Sequence, residues 1–257
     1  MRIAETKLWY AIKPYVPKRF WDDILNVIYW IRSFQYKGDQ YECPICHCQL
    51  GRFAKNSCPR CNSGNRHRAL WLYLNRKTDL FTRPNLKLLH FAPEHCLHKK
   101  IRTHQNIDYL SGDLNSTRAM EKIDMMDIQY PDNYFDVTIG LDVLMHVDDD
   151  SLAMRELVRV QKPEGWSIHL VSIDSSLEKT VYAETLGDKS RSEVFGHFDY
   201  KRNYGQDYNE ILEANGFDVD IVGTDEYTSP EERNRFQIPD YFKIYLCKKR
   251  KATSAKS

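Results

Sequence analysis

The stretch "YPDNYFDVTIGLDVLMHVDDDSLAMRELVRVQKPEGWSIHLVSI", residues 130–173, decides the fold. Within it "FDVTIGL" (135–141) is a short, mostly apolar run behind the turn residues Pro131, Asp132 and Asn133, and it reads as a buried strand. "DDSLAMRELVRVQ" (149–161) puts apolar residues at helical spacing behind an aspartate cap. "WSIHLVSI" (166–173) is a second apolar run. Strand, helix and strand in succession imply parallel strands in an α/β sheet.

The alternation extends both ways. Upstream lie the strand candidates "LKLLHF" (86–91), "IDYLSG" (107–112) and "KIDMMDI" (122–128). Downstream a helix, "GQDYNEILEANG" (205–216), leads to "FDVDIVG" (217–223) and "YFKIYLCKK" (241–249). No helix is read between the last two, so they are expected to form an antiparallel hairpin at one end of a seven-stranded sheet. The expected organisation is an aromatic-rich helical segment (1–40), a cysteine-rich segment (41–65), the α/β domain (66–249) and a polar tail (250–257). A helix is expected from Ser63 onward in "SGNRHRALWLYLNRK".

The net charge of +1 conceals an asymmetry: residues 1–80 hold 14 Lys or Arg against 6 Asp or Glu, leaving 23 against 30 in the remainder. A basic front end can face phosphates, an anionic membrane or an acidic partner, whereas the acidic main domain argues against wrapping nucleic acid. The early apolar segment "ILNVIYWIRSF" (24–34) is too short to span a bilayer. Residues 21–34 read as an amphipathic helix and are a candidate for peripheral membrane contact. No secretory signal is read, and the cysteine usage suits a reducing, cytoplasmic setting.

Cys43 and Cys46 in "CPIC" are separated by 11 residues from Cys58 and Cys61 in "CPRC". Two such knuckles complete a tetrahedral sulfur shell, and zinc is the expected metal. The segment has too few apolar residues to fold alone, so the metal would hold it together. With all four positions taken by cysteine the role is structural. His47 and Cys48 are read as bystanders.

Open sheets of this kind bind ligands beyond the carboxyl ends of their strands. After the second strand comes Asp113, placed to accept the hydroxyls of a ribose. After the third comes Asp127, placed to take an adenine amino group. The order of elements, with Phe135, Asp136, His146, Val147, Asp148, Arg159, Val160, Lys162, Pro163 and Gly165, resembles the class I S-adenosylmethionine-dependent methyltransferases of the small-molecule type. The cysteine knuckles, the "RHRALW" helix and the "LHFAPE" loop together resemble a bacterial subgroup with a zinc ribbon ahead of that domain.

The resemblance implies a Rossmann-like fold, S-adenosylmethionine as cofactor, and methyl transfer to a small-molecule or saccharide-linked acceptor. It departs from the usual pattern after the first strand. His90 stands where an acidic residue is usual, and Ala92 and Glu94 stand where glycines are usual. Glu94 could pair with the cofactor's ammonium. His90, Ala92, Glu94, Asp113, Leu114, Met126, Asp127 and Leu141 form the expected cofactor set. Met145 stands where relatives often carry a glutamate, which counts against metal-assisted chemistry. His146, His197, Asp199 and Tyr204 are the candidates for catalysis, and Arg202 for holding an anionic group on the acceptor. Two alternatives stay open: an RNA methyltransferase gripping RNA through its basic ribbon, and a non-catalytic interaction protein that has kept the fold.

Overall fold

The computed structural model describes residues 21–116, 118–186 and 190–251, with backbone alone at 21–23. The expected segment 1–20 and most of the polar tail, 252–257, lie outside the described residues. The chain divides into two compact units.

The first unit comprises residues 1–81, 94–103 and 223–242. It contains α1 (Trp21–Ser33), β1 (Lys37–Glu42), β2 (Gln49–Leu50), α2 (Asn65–Lys77), α3 (His95–Ile101) and α7 (Pro230–Phe236). β1 and β2 pair antiparallel. A Cβ on Gly38 would lie 2.5 Å from the Gly51 backbone, so the two segments approach this closely only because residue 38 is glycine. α2 begins one residue later than its sequence cap suggests. Gly64 is the N-cap, and its N–H donates to His67 Nδ1 at 2.9 Å.

The second unit comprises residues 82–93, 104–222 and 243–257. It contains β3 (Leu86–Phe91), β4 (Ile107–Gly112), β5 (Phe135–Leu141), α4 (Asp150–Val160), β6 (Gln161–Leu170), β7 (Val181–Tyr182), α5 (Arg191–Phe195), β8 (Arg202–Asn203), α6 (Tyr208–Ala214), β9 (Phe217–Gly223) and β10 (Lys243–Lys249). The central sheet is six-stranded, in the order β4-β3-β5-β6-β10-β9. β4, β3, β5 and β6 run parallel, and β10 is antiparallel to β6. Ala153, Met154 and Leu157 of α4 and Tyr208 and Leu212 of α6 pack with Leu89, Phe91, Phe135 and Phe217 of the sheet in one core. Asp149 caps α4 by accepting the Leu152 N–H at 2.8 Å, as its sequence position implies.

Two expectations are corrected. The seventh strand, 122–128, is not a strand. Asp124 Oδ1 accepts the Met126 N–H at 2.9 Å and Asp124 O accepts the Asp127 N–H at 3.2 Å, closing a turn. Ile123, Met125 and Ile128 are apolar because they fill the core from that turn. The last two strands are sheet neighbours but no tight hairpin, because a turn and α7 intervene. Ser229 caps α7 in a reciprocal bond pair with Glu232, and Pro230 opens it.

His169 of β6 is fully buried, with Nε2 3.0 Å from Thr138 Oγ1 and no hydrogen-bond partner for Nδ1 among the described residues. Burial pushes its pKa down to about 3, so the ring is neutral in the fold. The unfolded chain protonates this histidine near its ordinary value of about 6.5 and the folded chain does not. The contribution of the neutral ring is therefore complete above that value and declines as pH falls. The slope is up to about 1.4 kcal/mol per pH unit until the folded pKa is reached. Urea midpoints taken between neutral and mildly acidic pH should show this loss, and His169→Gln should flatten it.

Candidate functional site

The cysteine pairs converge as the spacing predicts. The four Sγ atoms of Cys43, Cys46, Cys58 and Cys61 lie within 4.8 Å of one another, with Cys43–Cys61 at 3.6 Å and Cys46–Cys58 at 3.7 Å. Thiolates bound tetrahedrally at about 2.3 Å from zinc stand about 3.8 Å apart, so the spacing fits a closed four-sulfur shell. The two knuckles are built alike. Cys43 O accepts the His47 N–H and Cys58 O accepts the Asn62 N–H, at 2.8 and 2.9 Å. His47 and Asn62 both turn through the left-handed region, at φ of 56° and 60°.

Sequence reasoning missed Ser63 and Arg68. Ser63 Oγ lies 3.3 Å from both Cys43 Sγ and Cys61 Sγ. Laying "CPICHC" on "CPRCNS" sets Ser63 opposite Cys48, which was the available signal. Arg68 is fully buried over the Phe53 ring and donates to the carbonyls of Asn56, Ser63, Phe236 and Gln237. Burial lowers its pKa from the usual arginine value, while the nearby cysteine sulfurs favour its charge. A four-thiolate zinc centre carries two net negative charges, which suits a buried guanidinium joined to it through Ser63.

In the second unit the carboxyl ends of the parallel strands are level. Phe91 pairs with Gly112 on one side and Gly140 on the other. One step on, Ala92 holds φ of 45° and donates its N–H to Gly112 O at 2.9 Å. Ala92 thus keeps the left-handed turn that glycine would make easily. Asp142, beyond Leu141, is also left-handed at φ of 53°. Sparsely populated backbone of this kind concentrates at functional sites. Asp113 Oδ1 accepts the N–H groups of Asn115 and Ser116, at 2.8 and 2.5 Å, which fixes the carboxylate at the end of β4.

The remaining members of the cofactor set differ in exposure. Leu114 and Asp127 are exposed, Leu141 is buried, and Met126 is half-buried with its sulfur accepting the Asp149 N–H at 3.4 Å. His90 is fully buried, with Nδ1 2.9 Å from Tyr109 Oη. Glu94 belongs to the first unit as the N-cap of α3. Its side chain makes no capping bond, and Oε1 lies 3.9 Å from His67 Nε2.

The expected catalytic residues separate into two groups. His146, His197 and Asp199 come together. Asp199 Oδ2 lies 3.3 Å from His146 Nδ1, and Asp199 Oδ1 is bonded to His197 Nδ1. Tyr200 stacks on His197 and meets His146 edge-on, both at 5.0 Å between centroids. The three polar side chains are 37–47% exposed, so a solute can reach them.

Arg202 and Tyr204 are buried. The Arg202 guanidinium is 2% exposed, donates to Leu144 O and Asp148 O, and lies 3.4 Å from Asp150. Tyr204 is fully buried and donates to Asp150 Oδ2 at 2.7 Å, and burial raises its pKa well above the ordinary value. Both act inside the protein, tying the long segment after β6 to the β5–α4 loop. Met145 is buried in the core.

Residues 95–169 match the family model described as a methyltransferase domain. That match is confined to one segment of the chain. Of the solved structures, an S-adenosylmethionine-dependent methyltransferase from Mesorhizobium loti superposes with a TM-score of 0.50 at 14% identity, covering 72% of this chain and 100% of its own. Two further likenesses have lower scores. The YcgJ protein from Bacillus subtilis gives 0.44 at 13% identity over 72% and 100% of the two chains. Phosphoethanolamine N-methyltransferase 2 from Haemonchus contortus gives 0.45 at 15% identity over 72% and 52%. At such identities the likeness is one of fold. Curated protein sequences give no match.

The segment that matches the family model is preceded in the chain by a four-cysteine cluster whose geometry suits a metal. Protein purified from zinc-containing medium should carry one zinc per chain by elemental analysis. Cys58→Ser should release it and lower the first unit's unfolding midpoint while leaving the Asp113 turn of the second unit intact. Metal-free wild-type protein would overturn the zinc assignment.

Proposed function

We propose that this chain is an S-adenosylmethionine-dependent methyltransferase acting on a small-molecule acceptor, saccharide-linked acceptors included, with a structural zinc in its cysteine cluster. The observation that carries the reading is the level edge formed by Ala92, Asp113 and Asp142 beyond three parallel strands, inside a chain that matches a methyltransferase domain. When bound there, S-adenosylmethionine supplies a sulfonium-activated methyl group. The cofactor has no phosphates, so the glycine-poor loop lacks nothing that anion binding would demand.

Asp113 is the residue assigned to the ribose. Its Oδ1 is held by two backbone N–H groups, and among the described residues nothing bonds Oδ2, which leaves acceptor capacity for hydroxyls. Ala92, Leu114, Met126, Asp127 and Leu141 are assigned around it. His90 is removed from the set by its burial.

The His146–Asp199–His197 cluster is assigned to the acceptor. One carboxylate orients two imidazoles, so either ring can take a proton from a hydroxyl or ammonium acceptor while Asp199 stabilises the imidazolium that forms. Arg202 and Lys201 serve as positioning residues. Arg202 grips the two carbonyls of the β5–α4 loop, and the Lys201 N–H donates to Met145 O at 2.8 Å, which keeps Asp199 beside His146.

Calorimetric titration with S-adenosylmethionine and S-adenosylhomocysteine should give micromolar binding. Asp113→Ala should weaken it by at least tenfold, and unchanged affinity would overturn the ribose assignment. Absence of binding in folded, zinc-loaded protein would make the fold a non-catalytic scaffold. Once an acceptor is in hand, His146→Asn should lower kcat by about 10²–10⁴-fold without changing cofactor affinity. A full rate in that variant would leave the histidine cluster a structural role.

A further inference from the structure

Helix α1 has two apolar faces. One buries Leu25 and Tyr29 with Ile24 and Ile28 beside them. On that side Asn26 Oδ1 accepts from Lys99 Nζ of α3 at 3.1 Å, and the Tyr29 ring lies 6.4 Å from that of His95. The other face and the turn that follows carry Val27, Trp30, Ile31 and Phe34, which are 55%, 50%, 55% and 45% exposed. The spacing i, i+3, i+4, i+7 gathers them in one stripe. Trp30 and Phe34 are packed edge to face at 4.7 Å, so the stripe is a formed surface. Among the described residues no other helix or strand exposes more than one large apolar side chain.

An apolar stripe of this kind marks an interaction surface, and its charge selects the occupant. Lys37 Nζ stands 4.5 Å over the Phe34 ring, and the Arg52 guanidinium stands 5.4 Å over that of Tyr36. The first twenty residues run directly into the helix and hold five Lys or Arg against one Glu. That segment has the same sign as the rim of the stripe, so it is a poor cover for it. A second copy would bring the same positive rim against itself. An anionic bilayer satisfies both features, with apolar side chains entering the acyl boundary and cations meeting phosphates. No described helix is long and apolar enough to cross a membrane.

We propose that α1 is a peripheral membrane-docking helix, with Val27, Trp30, Ile31 and Phe34 inserted at the headgroup boundary of an anionic bilayer and Lys37 and Arg52 on its phosphates. The proposal is independent of the methyltransferase reading, since it concerns the outer face of α1 alone.

The test is co-sedimentation of the full, zinc-loaded chain with vesicles of phosphatidylcholine alone and of equal parts phosphatidylcholine and phosphatidylglycerol. Binding to the anionic vesicles, a blue shift of tryptophan emission and weakening by salt are expected. The double variant Trp30→Ser, Ile31→Ser should lose at least tenfold in partitioning, and Lys37→Glu with Arg52→Glu should lose the preference for anionic lipid. Unchanged circular dichroism and thermal midpoint would show that the variants fold, as the exposure of these side chains predicts. Absence of binding, or equal binding by the double variant, would overturn the proposal. Two other results would overturn it too: a dimer in light scattering that Ile31→Ser dissociates, or protection of α1 from hydrogen exchange without vesicles that is lost on removing residues 1–20.

Discussion

The carboxylate of Asp136 is the point from which the order of the sheet can be traced. It is 2% exposed and accepts from Arg83 and Lys162, both at 2.7 Å, and from the Lys87 N–H at 3.0 Å. A buried carboxylate without partners costs several kcal/mol, and here the three donors come from two different approaches to the sheet. Arg83 and Lys87 belong to the entry into β3, and Lys162 belongs to the start of β6. One residue at the start of β5 therefore pins the strands on both sides of it. Gly165 completes the arrangement, because a Cβ there would sit 2.5 Å from Asp136 O. The residues that make this chain resemble a methyltransferase, "FD" and "KPEG", are thus architectural, and they act at the end of the sheet away from Ala92 and Asp113.

That division of labour explains how the opposite edge of the sheet tolerates an unusual loop. The strand register is fixed at the opposite ends, so Ala92 can occupy a left-handed turn that it enters less readily than glycine. Arg159 reinforces the same frame. It donates to the carbonyls of Ile128 and Tyr130 and pairs with Glu156, which holds the turn after Asp127 on α4. Beyond β6 a different device operates. Beyond Ile173 the described residues leave the sheet, and the chain is back beside its end at Tyr204, which Ile173 bridges. Arg202 and Tyr204 close this excursion through Asp150 and the carbonyls of the β5–α4 loop.

Much of this was legible in the sequence. Strands 86–91, 107–112, 135–141 and 217–223 run as their apolar patterns indicate, and the CxxC pairs converge as their spacing requires. Other readings failed for identifiable reasons. "KIDMMDI" alternates like a strand, yet its buried residues fill the core from an aspartate-closed turn. "SPEERNRF" is a capped helix of only seven residues and too polar to show an apolar period. A histidine, an arginine and a tyrosine in a chemically suggestive loop cannot be sorted from sequence into those that face solvent and those that are spent inside.

What the sequence determined by itself is what local periodicity and spacing encode: the alternation of strands and helices, the four-cysteine cluster, and Asp113 at a strand end. Those features depend on neighbours a few residues apart and on the alternation of side chains along a strand. Tertiary structure alone decided which polar residues are available for chemistry. His146 and Asp199 are 53 positions apart in the chain and meet at 3.3 Å, while Arg202 and Tyr204, close by in sequence, are withdrawn into the fold. Their fates follow from which hydrogen-bond partners the closing of a long loop brings within reach. No pattern along the chain specifies that in advance.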